Sequence, residues 1–82
     1  MDELERRKIH LELKMFTARN FEKPSDCKDP EQIRFYVRAL AMKIEALEKQ
    51  FNYAPDWAYR LLAQYNDLQN RRVLVEFRNA YS

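Results

Sequence analysis

Asp29-Pro30-Glu31-Gln32-Ile33-Arg34-Phe35-Tyr36-Val37-Arg38-Ala39-Leu40-Ala41-Met42-Lys43-Ile44-Glu45-Ala46-Leu47-Glu48-Lys49-Gln50-Phe51 decides the fold. It opens with the grammar of a helix start: Asp29 as N-cap, Pro30 at N1, an acidic first turn, and Gln32 at the N3 position of a capping box. Behind the start, Ile33, Val37, Leu40, Ile44, Leu47 and Phe51 recur at alternating spacings of four and three. That rhythm is a heptad-like seam, and it predicts a helix from Pro30 to Phe51 about 33 Å long. Asn52 then stands where a glycine would normally take the left-handed position that ends a helix.

At about 100° per residue the same helix carries a second apolar strip of Phe35, Ala39, Met42 and Ala46, nearly opposite the seam. A helix with two apolar strips predicts two neighbours. The first is supplied by the segment that opens at Pro55-Asp56. There Trp57, Leu61, Tyr65, Leu68 and Val75 share one arc with Ala58 and Leu62 on its shoulder, while Arg60, Gln64, Asp67, Arg71 and Arg78 share the other. The short Asn52–Pro55 link makes these two helices antiparallel neighbours.

The N-terminal segment supports two periodicities. As a helix it puts Leu4, Leu11, Met15 and Ala18 on one strip and Ile9, Leu13 and Phe16 on another. As a strand, Ile9, Leu11, Leu13 and Met15 alternate with polar residues. Its Leu, Met, Glu and Lys content favours the helix. A similar alternation over Arg72–Phe77 is read as continuing helix. The expectation is an all-α three-helix bundle in a single domain, 1–82, with helices at about 2–21, 30–51 and 55–79.

Composition narrows the chemistry. The 82-residue chain has no glycine, where an average protein of its length would carry about six. Phosphate-cradling glycine loops and dinucleotide fingerprints are therefore excluded. One cysteine and one histidine rule out an internal disulfide framework and a Cys/His zinc site. No apolar run reaches the roughly 18 residues of a membrane span, and the acidic start Met1-Asp2-Glu3-Leu4-Glu5 is unlike a targeting peptide. Fifteen Lys+Arg against 13 Asp+Glu leave a net charge of +2, with both signs interleaved along the chain.

No catalytic constellation emerges. His10, among Lys8, Glu12 and Lys14, reads as an exposed surface residue. Cys27, with Lys28 on one side and Asp26 and Asp29 on the other, reads as a thiol without strong activation. The carboxylate pairs Asp26/Asp29 and Glu45/Glu48 have no apolar pocket to split their pKa values. The expected function is non-enzymatic, with no cofactor, metal, small-molecule substrate or membrane insertion, and the expected setting is the cytoplasm.

Two features carry partner chemistry. Phe35, Ala39 and Met42, with Leu74, Phe77 and Tyr81 near the C-terminus, exceed what one small bundle absorbs, and such surplus marks protein contacts. The leading expectation is a small regulatory or adaptor protein that binds a larger protein through this face or pairs with itself as a homodimer. The first helix is the competing cover for the Phe35 strip. The alternative is DNA or RNA binding through Arg34 and Arg38, flanked by aromatics, together with Arg71, Arg72 and Arg78. Small chains of this character also fit regulators carried by bacteriophages or mobile elements, on size alone.

Overall fold

The computed structural model describes residues 2–81, with side chains as far as Arg71. It is 80% helical. Three helices follow one another, α1 (Glu3–Asn20), α2 (Pro30–Phe51) and α3 (Asp56–Tyr81). There is no strand among the described residues, and both 9–15 and 73–77, which also alternate as strands, have helical backbones.

The ends are set locally. Asp2 Oδ1 accepts from the Glu5 N–H at 2.8 Å, and Asp29 Oδ1 from the Glu31 N–H at 3.0 Å. Each satisfies a donor that the first helical turn leaves open. At the far end of α2, Asn52 adopts φ 54°, ψ 36°, and its N–H bonds to the Glu48 carbonyl at 2.8 Å. In a chain without glycine, asparagine carries the left-handed cap. On α1, four residues apart, Glu3 and Arg7 form an ion pair at 3.2 Å. Both partners are largely exposed, so it contributes little.

α2 and α3 are the pair whose backbones run close together. Ala58, 0% exposed, has no side chain beyond its methyl to hold α2 away. The α2 seam faces inward as expected: Ile33, Leu40, Ile44 and Leu47 are buried, Val37 and Phe51 half-buried, and Tyr36 joins them. The α3 face is rotated from its expected position. Ala58 and Tyr65 form its buried centre, with Trp57, Leu61, Leu62 and Leu68 half-buried around them. α1 lies farther out and reaches the pair through Ile9 and Leu13, both buried, and Phe16. Its Leu4, Leu11 and Met15 face outward.

Tyr65 ties the three helices. Its ring lies 5.4 Å from that of Tyr36 on α2 and 5.8 Å from that of Phe21, which ends α1. Its hydroxyl donates to the Glu22 carbonyl. Burial, aided by Cys27, Tyr36 and Glu22 nearby, pushes this phenol from 10.0 up to about 12.

Two outcomes follow. Leu40→Ala empties a site that is 0% exposed and costs about 2 to 5 kcal/mol, whereas Met42→Ala, 64% exposed, stays within about 0.5 kcal/mol of the parent in urea unfolding. For Tyr65, the folded state holds the proton more tightly than the unfolded chain. Its contribution is therefore complete below about pH 10 and disappears as pH rises through about 12. Tyr65→Phe starts less stable but loses less over that window, as urea midpoints measured against pH will show.

Candidate functional site

Phe35 and Met42 are two turns apart on α2, on the side turned away from the seam, and they remain 56% and 64% exposed. Ala39, between them, is half-buried and Ala46 exposed. No other helix covers Phe35 and Met42 among the described residues, so the two-neighbour expectation for α2 is not met within the chain at these two positions. The reason is geometric. α1 and α3 both settle on the buried side of α2, and α1 reaches only its flank, where Lys43 Nζ lies 5.6 Å from the Phe16 ring centre. The first helix is thus not the cover for Phe35 and Met42.

Arg34 and Arg38 are exposed along one edge of this strip. With Phe35, Val37 and Gln69 they line a shallow groove between α2 and α3. Neither arginine has an acidic partner among the described residues. At the opposite end of the same edge Glu45 is bridged to Lys49 at 3.0 Å. Arg71 is exposed on α3. The side chains of Leu74, Phe77, Tyr81, Arg72 and Arg78 lie outside the described residues.

His10 requires a correction. It is half-buried, held between the second and third helices' junction and α1. The Trp57 indole N–H donates to His10 Nδ1 at 3.1 Å, and His10 Nε2 lies 2.7 Å from the Tyr53 hydroxyl. An indole nitrogen only donates, so Nδ1 accepts, Nε2 carries the proton, and Nε2–H donates to Tyr53. Arg6 covers the Tyr53 ring at 5.4 Å. Both imidazole nitrogens are thus occupied within the fold, and the cluster is a joint between α1 and the α2–α3 turn. Nothing in the one-dimensional pattern pairs position 10 with positions 53 and 57. The available signal is only that His10 flanks the Ile9/Leu13 strip.

Cys27 lies in the connection between α1 and α2 but is not a surface thiol. It is 4% exposed and belongs to the core, placed there by the turn in which the Asp26 and Cys27 N–H groups donate to the Lys23 carbonyl. Among the described residues no group of three or more His, Cys, Asp or Glu side chains could hold a metal ion, and no helix is long and apolar enough to cross a membrane.

No protein-family profile, curated protein or solved structure matches the chain.

The joint yields a direct measurement. Trp57→Phe removes the indole donor and leaves His10 Nδ1 without its partner, so denaturation followed by circular dichroism loses about 1 to 2 kcal/mol.

Proposed function

We propose that the chain is a non-enzymatic protein-protein interaction module of regulatory or adaptor type, presenting the outer strip of α2 to a protein partner. The observation that carries this reading is the exposure of Phe35 and Met42 on the same face of the most firmly packed helix. Two large apolar side chains held in water on one face gain by being covered, about 1.5 to 3 kcal/mol for each fully buried from full exposure. The shape points the same way. The radius of gyration is 15.0 Å, against about 12 Å for a compact chain of this length. The accessible surface of 6506 Å² exceeds by about a quarter that of a compact 10.0 kDa monomer. So extended a bundle has a small core for its surface, and a partner adds stability as well as function. We place this activity in the cytoplasm, where a lone cysteine such as Cys27 stays a thiol.

A second reading rests on Arg34 and Arg38, exposed beside Phe35 without acidic partners among the described residues. Two arginines and an aromatic ring can hold phosphates and stack on a base. The acidic Glu45 farther along the same edge opposes it.

A photoreactive residue replacing Phe35 in the native host tests both. Under the leading reading it yields protein adducts, while the same residue at the exposed Arg60 on α3 yields none. Adducts to DNA or RNA at Phe35 promote the second reading, in which Arg34→Gln/Arg38→Gln abolishes low-salt binding of an oligonucleotide. No adduct at Phe35 overturns both.

A further inference from the structure

We propose that His10 is an acid-sensitive latch: its neutral ring holds α1 on the turn between α2 and α3, and protonation of Nδ1 releases the N-terminal half of that helix. The latch and the outer strip of α2 lie on different faces, and neither depends on the other. The bonds at the ring define it. Nδ1 accepts the Trp57 indole N–H at 3.1 Å, and Nε2 lies 2.7 Å from the Tyr53 hydroxyl. An indole nitrogen offers no lone pair, so Nε2 already carries the ring's proton and a second proton has one place to go, Nδ1. There it meets another donor. The imidazolium and the Trp57 bond exclude each other. Tyr53 is indifferent, because its hydroxyl oxygen accepts from Nε2–H in either state. A half-buried ring whose new N–H faces a second donor regains a partner by turning toward water, and α1 moves with it.

Nothing around the ring compensates the added charge. On α1, Arg6, Arg7 and Lys14 lie with His10 about one shallow cavity, and the carboxylate there, Glu3, is already bridged to Arg7. Arg6 also covers the Tyr53 ring. The turn contributes the Tyr53 hydroxyl and α3 the Trp57 indole, neither of them anionic. No carboxylate pairs with His10 among the described residues. The helix so held is also the most weakly attached of the three, since α1 does not share the close backbone packing of α2 and α3. Its other anchor, the Tyr65 hydroxyl on the Glu22 carbonyl, keeps its proton throughout the acid range, because burial pushes that phenol up to about 12. Acid therefore undoes one end of α1 and leaves the other. The helix swings out about Phe21, and Ile9 and Leu13 exchange the core for water.

Hydrogen exchange on the full chain, corrected for the pH dependence of the chemical rate, tests the latch between about pH 8 and pH 5. That window spans the ordinary histidine value near 6.5 and ends above the usual carboxylate range. An undocked helix of 18 residues is marginal in water, so release appears as lost protection. Over residues 4–13 the released fraction of the parent rises roughly tenfold, the factor that one such bond represents, while residues 33–47 stay protected. Trp57→Phe is already released to that degree at the alkaline end. It changes less than about threefold, because no donor faces its Nδ1, and its curve meets the parent's in acid. His10→Gln, which does not titrate, is flat. The ring ¹⁵N shifts of the parent show the Nε2–H tautomer at the alkaline end. Any of four results overturns the latch: an Nδ1–H tautomer there, loss of protection over 33–47 equal to that over 4–13, parent and Trp57→Phe curves that run parallel, or a His10→Gln chain as acid-sensitive as the parent.

Discussion

The position of α1 depends on Tyr65. α2 and α3 can pair through the Ala58 approach and the Asn52 turn, but α1 does not share their close backbone packing. It is held by long side chains, and these need fixed points. At one end the Tyr65 ring meets Phe21 and its hydroxyl meets the Glu22 carbonyl. At the other, His10 bridges Tyr53 and Trp57. Between the two anchors Ile9 and Leu13 become the buried strip of α1. A buried phenol without that carbonyl would leave a polar group unpaired. The bond therefore specifies where the chain leaving α1 must lie as well as stabilising it.

The sequence announces α2 most fully because its signals are local. Capping by Asp29, the Pro30 start, the seam and the left-handed Asn52 each act within a few residues, and tertiary structure does not override them. The α3 face is legible only in outline. Periodicity weights residues by size and ranks Trp57 and Leu61 above Ala58, but close helix packing rewards the smallest side chain. α1 is harder still, because it has two equally apolar strips. The choice between Ile9/Leu13 and Leu4/Leu11/Met15 is made by contacts more than forty residues away in sequence, at Tyr53 and Trp57. His10 is misread for the same reason: its neighbours in sequence are charged, while its neighbours in space are aromatic. The outer strip of α2 is legible as a strip. Its lack of an internal neighbour follows from how three helices arrange themselves around one seam, which no local pattern encodes.

Both α1 and α2 expose apolar side chains, so a choice between the two faces has to be argued. The α1 strip is the looser platform. Leu4, Leu11 and Met15 are interrupted by Lys8, and their helix stands on two side-chain joints. The α2 strip lies on a helix with five buried residues on its other side, capped at both ends and packed closely along α3. A docking surface that is already rigid loses less conformational freedom when it is covered. The same core that fixes Leu40 and Ile44 also fixes the spacing of Phe35 and Met42, because opposite faces of one helix cannot move independently. Packing on the inner face of α2 thereby sets the register of its outer face, and in this chain the fold's most stable element is also the one best prepared to bind.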